Sequence, residues 1–367
     1  MSADRSLIAP TSKPLLESAL KDKLQRRAEA TGSLGELEPL AISLGLMQNT
    51  LKPRFRDPQL VIFAADHGLA VDGLTVPQRK QTHEQVSQLL TGQLPVSVFA
   101  RIQGLELSVV DCGVAEMVAP HDRLIRRKIA HGTRNARVGL AMSVDHAHAA
   151  IRAGMEIGDT LRGKLVAVAG IGVGSHESAA LVLSRLTDTP VRDLIVSGPN
   201  MSPELLHHLM SIVQAAQAKH KDVTDPVEVL AAFGGFEVAV MVGVLLVAAS
   251  KRHLIMIDGM AACAALLVAS RIATPATDYC VFCRSHSHRG LDQALNLFRA
   301  SALLELGMES TDGTGAALAW PLVKSAAALL TEVAEGEDPG PSRPSGITTH
   351  AAELGPPGDA GDQRSVP

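Results

Sequence analysis

The sequence predicts an α/β fold built on a mainly parallel β-sheet. Short apolar runs recur along the chain, helical stretches separate them, and several of the runs end in Gly or Asp. The candidate strands are Leu60–Ala65, Leu105–Asp111, Leu165–Ala169, Leu194–Ser197 and Leu254–Asp258. Such alternation is typical of βαβ units. Because parallel sheets bind ligands beyond the carboxyl ends of their strands, we expect the functional site where these Gly and Asp residues gather.

The composition indicates a globular core made of small aliphatic side chains. Of the 367 residues, 46% are hydrophobic and 20% are charged, but only 2% are aromatic. Binding of single-stranded nucleic acid depends on aromatic stacking, so this composition argues against it. The net charge of −4 likewise gives no general attraction to nucleic acid or to anionic membranes. We therefore expect neither of these as a partner.

Three features predict a cytoplasmic location. The first ten residues lack the apolar segment of a signal peptide. The longest apolar run, Val238–Ser250, is too short to span a bilayer and instead predicts a buried helix. Four cysteines in a chain of this size make no disulfide framework, which favours a reducing compartment.

The two ends of the chain differ from its middle. Helical periodicity runs through Leu15–Met47 and breaks at Thr31–Gly35. After about Ala334, Pro, Gly, Ser and Asp dominate and large apolar residues almost vanish, so this part cannot offset the entropy lost on ordering. We predict a disordered tail over residues 334–367.

A glycine-rich loop follows the candidate strand Leu165–Ala169 and leads into a predicted helix, His176–Leu186. The loop's candidate ligand-binding residues are Gly170, Gly172, Gly174 and Ser175. A strand, a glycine loop and a helix in succession can cradle phosphate, although close packing of helix on strand explains such a loop equally well. The loop lacks the Lys-Ser or Lys-Thr of a P-loop and misses the spacing of the dinucleotide-binding motif.

A second glycine turn, near the C-terminus, contains a carboxylate. Asp312 precedes Gly313, Thr314 and Gly315, and an alanine-rich helix follows. Backbone N–H groups and the positive end of a helix favour an anion at this point, and the carboxylate could take a proton from a substrate bound alongside. Taken alone, the motif favours a simpler interpretation, in which Asp312 or Thr314 caps the helix.

The pair Asp66 and His67 ends the first candidate strand. Such a pair could be catalytic, could bind a metal, or could only fix the turn. With no second set of ligands nearby in sequence, we favour the turn, with one side facing the substrate.

A possible metal motif lies later in the chain. Cys280-x-x-Cys283 has the spacing of a zinc ligand pair, and His286 and His288 follow it closely. Because Tyr279–Phe282 has the pattern of a buried strand, we predict core cysteines followed by a polar loop, and no metal site.

Eight short motifs follow one another through most of the chain. They are Gly32–Glu38, Phe63–Gly68, Val110–Val114, Lys128–Asn135, Gly170–Gly172, Gly234–Ala239, Ile257–Gly259 and Asp312–Ala317. Together they resemble the nicotinate-nucleotide–dimethylbenzimidazole phosphoribosyltransferase family, whose members make the α-ribazole phosphate of the cobamide lower ligand. So many motifs in the same order make the resemblance specific.

The resemblance implies a doubly wound α/β domain and a small helical domain built from both chain ends. It also implies a homodimer with each active site between the two domains. The expected division is a helical segment over 1–57, the α/β domain over 58–295, helices completing the small domain over 296–333, and the tail over 334–367.

The reaction implied is a base exchange at ribose C1, with no cofactor. Nicotinate leaves nicotinate mononucleotide, and 5,6-dimethylbenzimidazole or a related base attacks from the opposite face, giving α-ribazole 5′-phosphate. The resemblance places the proton-accepting carboxylate at Asp312. The phosphate and ribose are expected at Gly170, Gly172, Gly174, Ser175, Gly313, Thr314 and Gly315, and the acceptor base at Asp66, His67, Thr82 and Glu84.

Several positions depart from the family pattern. Asp312 replaces a glutamate, which shortens the reach of the carboxylate by about 1.5 Å, and Val168 replaces a second acidic residue. A Gly-Arg-Gly-Thr-Gly segment corresponds to Val196–Asn200, and the lysine expected in the following helix falls near Leu209. In the acceptor pocket, Thr75–Gln78 lacks the usual tyrosine.

These departures leave two alternatives to the transferase. The first is a non-catalytic paralogue, either a nucleotide-binding protein or a partner subunit of an active relative. The second is a nucleosidase on the same scaffold, in which water replaces the acceptor base.

Overall fold

The computed structural model describes residues 8–28, 32–73, 80–195, 202–285, 289–308 and 312–333. The strands are β1 (Gln59–Ala65), β2 (Glu106–Gly113), β3 (Leu124–Arg126), β4 (Leu165–Ile171), β5 (Leu254–Asp258), β6 (Cys280–Ser285) and β7 (Ala302–Glu305). The helices are α1 (Pro14–Ala28), α2 (Leu37–Gln48), α3 (Thr82–Leu90), α4 (Pro95–Gln103), α5 (Val144–Thr160), α6 (Ser175–Thr187), α7 (Val191–Ile195), α8 (Pro203–Lys219), α9 (Pro226–Phe233), α10 (Phe236–Ser250), α11 (Met260–Ile272), α12 (Arg289–Leu297) and α13 (Thr314–Thr331).

The strands form a single sheet in the order β3-β2-β1-β4-β5-β6-β7, and each neighbouring pair is parallel. The chain starts in the middle at β1, moves outward to β3, and returns to the other side of β1 at β4. The register sets Ala64 beside Ile171, and Ala169 beside Asp258. This order confirms the predicted doubly wound α/β fold, with its switch point between β1 and β4.

One predicted strand is wrong. The runs at Leu60, Leu105, Leu165 and Leu254 correspond to β1, β2, β4 and β5. The run Leu194–Ser197, however, begins inside the helix α7, and residues 196–200 lie outside the described part of the chain. Periodicity cannot distinguish a strand from a buried helix over so few apolar residues, because both give an unbroken run.

Helices cover both faces of the sheet. Successive residues of a strand point to opposite faces. A Cβ added at Gly170 would meet Ala261 of α11 and Met241 of α10, whereas Ala169 lies beside Gly313 at the start of α13. Helices α10 and α11 therefore cover one face, and α13 covers the other together with α2 and α4.

Small residues allow close packing on the first face. A Cβ on Gly154 of α5 would lie 1.9 Å from the carbonyl oxygen of Val240, and one on Gly243 of α10 would lie 2.0 Å from that of Ile151. The two helix backbones therefore touch directly, which explains how a chain so poor in aromatic residues fills its core.

The first two helices and the last helix meet on the second face. Helices α1 and α2 pack against α13, and Phe55 packs edge-on against Trp320 of α13 with ring centroids 6.0 Å apart. The predicted division into domains stays a prediction, and the predicted tail over 334–367 lies outside the described residues. In the part of the chain described, none of the helices combines the length and hydropathy needed to cross a bilayer.

Candidate active site

The ends of β1 and β4 meet at the switch point of the sheet. Asp66 and His67 follow β1, and Gly172 and Gly174 lie between β4 and α6. A Cβ on Gly172 would lie 1.8 Å from the carbonyl oxygen of Ala65, so no larger residue fits there. Glycine at this position brings the two strand ends together at the place where doubly wound sheets bind ligands.

A buried cluster joins these two loops to α10. His67 Nε2 lies 3.0 Å from Glu237 Oε1, and both side chains are almost fully buried. The distance fits a charge contact, but the ring nitrogen does not point along a hydrogen-bond direction. Ser175, the first residue of α6, donates a hydrogen bond from Oγ to the same Oε1 at 2.8 Å. The imidazole and the carboxylate therefore contact each other beneath the glycine loop.

The environment of His67 determines its charge. Burial alone lowers the pKa of an imidazole, because it disfavours the charged form. The contact with Glu237 and the negative charges of Asp66 and Glu177 outweigh that effect and raise the pKa of His67 above its ordinary value of 6.5. The protonated form of His67 is thus favoured more than that of a free histidine.

Asp66 belongs to a second polar network on the same two loops. Thr82 Oγ1, at the start of α3, donates to Asp66 and accepts a hydrogen bond from the backbone N–H of Val173 at 3.1 Å. The other carboxylate oxygen of Asp66 accepts from the N–H of Ala115 at 2.7 Å. Asp66 and Thr82 therefore connect β1, α3 and the glycine loop.

Glu84 lies near this network but contributes to helix capping. Its carboxylate accepts a hydrogen bond from the backbone N–H of Gln81 at 3.1 Å, as part of a capping box at the start of α3. The side chain is exposed. Capping satisfies one N–H of the first turn and leaves the rest of the side chain at the surface.

Asp312 lies at the start of α13 and is half-buried. Its Oδ1 accepts hydrogen bonds from the backbone N–H of Thr314 at 3.2 Å and from Thr314 Oγ1 at 2.5 Å. The N-cap residue of α13 is Gly313, so the simpler interpretation, with Asp312 or Thr314 as the cap residue, is not confirmed. Asp312 nevertheless binds the N–H of the first helical residue, which fixes the carboxylate in one orientation at the positive end of the helix.

Gly313 and Gly315 are required by packing. Gly313 has φ 89°, a left-handed conformation that favours glycine. A Cβ on Gly315 would lie 2.5 Å from Arg284 Cδ and 2.8 Å from Asp258 Oδ1. The glycine turn thus lies directly on a charged pair at the ends of β5 and β6.

That charged pair was not among the predicted site residues. Arg284 Nε lies 2.7 Å from Asp258 Oδ1, and both side chains are buried. The other oxygen of Asp258 accepts from the backbone N–H of Ala316 at 3.0 Å. A second pair, Lys128 Nζ and Asp111 Oδ2, lies 3.3 Å apart where β2 ends.

One sequence signal could have identified Glu237 and Asp258. Each is a single acidic residue in an otherwise apolar element, within α10 and at the end of β5. A charge placed in a buried segment needs a partner, so such residues are candidates for polar clusters. The partners themselves are distant in sequence and are identified only by the fold.

The cysteines behave as core thiols. All four are free, and burial raises the pKa of each, that of Cys263 to about 12. Cys280 and Cys283 lie in β6, and His286 and His288 lie outside the described residues. Among the described residues, no group of three or more His, Cys, Asp or Glu could hold a metal ion.

Two of the divergent segments, 75–78 and 196–200, lie outside the described residues as well. Leu209, near the position of the expected lysine, is buried in α8. The described structure therefore joins the loop around Asp66 to the glycine loop at the ends of β1 and β4. It places the turn at Gly313 against Leu60 and Ala169, on the face of the sheet that α13 covers.

Comparisons with known proteins agree with this architecture. A family model described as phosphoribosyltransferase matches residues 9–340. The chain is 39% identical over 325 residues to the nicotinate-nucleotide–dimethylbenzimidazole phosphoribosyltransferase of Cupriavidus taiwanensis, covering 88% of this chain and 93% of that protein. The protein of the same name from Dechloromonas aromatica is 39% identical over 333 residues, 89% of this chain and 96% of its own.

A solved structure gives the same result. The crystal structure of the enzyme with this name from Thermus thermophilus superposes with a TM-score of 0.82 at 28% identity, over 91% of this chain and 100% of that one. The chain therefore belongs to the nicotinate-nucleotide–dimethylbenzimidazole phosphoribosyltransferase family.

Proposed function

We propose that this protein exchanges the nicotinate of nicotinate mononucleotide for 5,6-dimethylbenzimidazole or a related base, giving α-ribazole 5′-phosphate. The observation that carries the proposal is a carboxylate, Asp312, held by hydrogen bonds from Thr314 at the start of α13, in a chain that matches the family over nearly its whole length. One base and one anion site are what this exchange requires.

The chemistry needs a proton acceptor but no acid. One imidazole nitrogen of the incoming base attacks ribose C1 while the bond from C1 to the pyridine nitrogen of nicotinate breaks. The bonding electrons neutralise that positively charged nitrogen, so nicotinate leaves without being protonated. The second imidazole nitrogen loses its proton to Asp312. Attack opposite the leaving group converts the β-linkage into an α-linkage.

The phosphoribosyl group is proposed to lie between the two glycine turns. Helix α6 begins four residues after β4 ends, and α13 begins beside Asp258 at the end of β5. The positive end of each helix favours a phosphate. Gly172, Gly174 and Ser175 precede or begin the first helix, and Gly313 and Thr314 precede or begin the second. Gly170, inside β4, contributes to close packing.

The acceptor base is proposed to bind on the side of the glycine loop formed by Asp66, Thr82 and Glu84. Asp66 is half-buried and Glu84 is exposed, so both can border a ligand. Thr82 is buried and holds Asp66 in place. His67 lies beneath this surface, so we place it behind the pocket.

We also propose that the enzyme is a cytoplasmic homodimer. The four free cysteines, three of them buried, fit a reducing compartment. Val71, Met117 and Val138 carry exposed apolar side chains, and burying such side chains between two copies would favour a dimer. Sedimentation equilibrium would test the dimer, and a monomeric mass would contradict it.

Mass spectrometry tests the function. Purified protein is incubated with nicotinate mononucleotide and a panel of bases, including 5,6-dimethylbenzimidazole, benzimidazole and adenine. We expect a new ribotide with the mass of the base plus ribose phosphate. No conversion by a protein shown to be folded would contradict the proposal and favour the non-catalytic alternative.

A further inference from the structure

The contact between His67 and Glu237 requires glycines on two sides. A Cβ on Gly235 would lie 2.1 Å from Glu237 Oε2 and 2.3 Å from His67 Cε1. A Cβ on Gly174 would lie 3.0 Å from His67 Cβ. The pair therefore occupies a space that exists only because these two positions lack side chains. A small polar cluster enclosed this tightly has little freedom to move.

The carboxylate of Glu237 needs a positive partner. It is completely buried, and its Oε2 has no hydrogen-bond partner among the described residues. One hydroxyl donor, Ser175, does not compensate a buried charge. The other ionisable groups that act on His67 are the carboxyls of Asp66 and Glu177, both of which add negative charge.

The neutral thiol nearby does not supply the positive charge that Glu237 needs. The thiol of Cys112, at the end of β2, is held in its neutral form, because burial and the nearby negative charges of Glu237 and Asp111 raise its pKa. The group in charge contact with Glu237 that can supply a positive charge is the imidazole of His67.

We propose that His67 and Glu237 form a buried imidazolium–carboxylate pair that positions the glycine loop for catalysis, with Ser175 connecting the pair to α6. The two residues are positioning residues and do not contact the substrate. This inference rests on the proposed function, because the glycine loop is where we place the phosphoribosyl group.

The pair of His67 and Glu237 and the network of Asp66 and Thr82 hold the same glycine loop. Asp66 precedes His67 in the chain and holds Thr82, which accepts the N–H of Val173 in the glycine loop. The loop is therefore fixed at Val173 through Asp66 and at Ser175 through Glu237. Losing the charged pair frees one of these two attachments, and a displacement of about 1 Å in a catalytic site can cost roughly 100-fold in rate.

The direct test is the protonation state of His67. Histidine labelled at Cε1 with carbon-13 is titrated by NMR in the full-length protein, and the His67 signal is assigned by its loss in His67→Gln. We expect the His67 signal of the unmodified protein to stay in the imidazolium form at and above pH 6.5. If His67 lost that proton below pH 6.5, the proposed imidazolium–carboxylate pair would be contradicted, independently of any measurement of enzyme activity.

Two matched substitutions identify the partner. Glu237→Gln keeps the shape of the side chain and removes its charge, so burial then dominates and the pKa of His67 falls below 6.5. Glu177→Gln removes a carboxylate that acts on His67 without touching it, and is expected to leave the imidazolium form in place at pH 6.5. Equal effects of both substitutions would overturn the assignment of Glu237.

Turnover tests the positioning role separately. Glu237→Gln is expected to lower kcat about 10- to 100-fold with a smaller change in KM for the base. His67→Gln leaves the buried carboxylate of Glu237 without its countercharge and should also lower kcat. The double variant with His67→Gln and Glu237→Gln removes that charge, so it should recover part of the loss seen in His67→Gln. Unchanged kcat in a folded Glu237→Gln protein whose His67 titration has shifted would overturn the role in positioning.

These readouts separate the two proposals. The titration needs no substrate, so it can succeed even if base exchange is never observed. If Glu237→Gln does not fold, Glu237→Asp keeps the charge and shortens the side chain. That variant should retain the imidazolium and lose turnover, and loss of the imidazolium would contradict the charged pair.

Discussion

Asp258 and Arg284 form a buried ion pair directly under the first turn of α13. Arg284 Nε lies 2.7 Å from one oxygen of Asp258, and the other oxygen accepts the N–H of Ala316. A further nitrogen of Arg284 donates to the carbonyl oxygen of Met308 at 2.7 Å. The pair thus connects β5 and β6 to the backbone on both sides of Asp312, and so holds the turn that carries the proposed base.

Asp258→Asn should destabilise the fold strongly. The substitution removes the carboxylate that contacts the buried guanidinium of Arg284, and breaking a buried ion pair typically costs about 3–5 kcal/mol. Asp159→Asn is the matched control, because Asp159 pairs with Lys251 at 2.8 Å on the surface, where the expected cost is below about 1 kcal/mol. Urea unfolding followed by circular dichroism measures both. Similar losses in the two variants would contradict the structural role of the pair.

Substitutions at Asp312 separate its hydrogen bonds with Thr314 from catalysis. Asp312→Ala removes both, so we expect no measurable turnover and a stability loss of about 1 kcal/mol, typical of a side-chain hydrogen bond lost at a helix N-terminus. Asp312→Asn can still accept hydrogen bonds from Thr314 but cannot take a proton, so turnover should vanish with little loss of stability. Initial rates and urea unfolding are measured on both variants. Unchanged turnover in either would remove Asp312 from its role as base.

Gly235→Ala should disrupt the contact between His67 and Glu237. The added methyl group would lie within 2.3 Å of both side chains, and overpacking of this kind costs about 1–3 kcal/mol. Gly139→Ala is the control, because a Cβ there meets nothing within 4 Å. Thermal unfolding should show a lower Tm only for Gly235→Ala. A Tm equal to that of the control would contradict the tight packing of Gly235 against His67 and Glu237.

His253 should make the protein less stable at acidic pH. Burial, with help from Lys251 and Lys164, lowers its pKa from 6.5 to about 4. As the pH falls through this range, the unfolded chain binds a proton that the folded chain does not, so stability declines. Because the ring is partly exposed, we expect a loss of about 1 kcal/mol between pH 7 and pH 4.

His253→Gln removes this titration and should flatten that part of the stability profile. Urea unfolding of both proteins at several pH values gives the difference, which isolates His253 from the opposite contribution of His67. Parallel profiles would mean that His253 titrates normally in the folded protein.

The sequence predicts those parts of the molecule that depend on local pattern. The strands at Leu60, Leu165 and Leu254 and the glycine loops at Gly172 and Gly313 can be recognised because apolar runs and glycines mark them directly. The strand predicted at Leu194–Ser197 is wrong because a short apolar run fits a buried helix as well as a strand.

Pairing between distant residues could not be predicted in the same way. Glu237 and His67 belong to motifs far apart in the chain, as do Asp258 and Arg284. Only the doubly wound topology brings the ends of β1, β4, β5 and β6 to one edge, and nothing in the local sequence specifies which side chains then meet. The local sequence did offer one signal for Glu237 and Asp258, because each is a single acidic residue in an otherwise apolar element.

Nicotinate release, measured with and without an acceptor base, tests the proposed base exchange most directly. Chromatography follows nicotinate and ribotide in the same samples of wild-type protein and of Asp312→Asn. We predict that wild-type protein releases nicotinate only when base is present, in a one-to-one ratio with the ribotide, and that Asp312→Asn releases none. Release without an acceptor would indicate a nucleosidase, and no release by folded wild-type protein would contradict catalysis altogether.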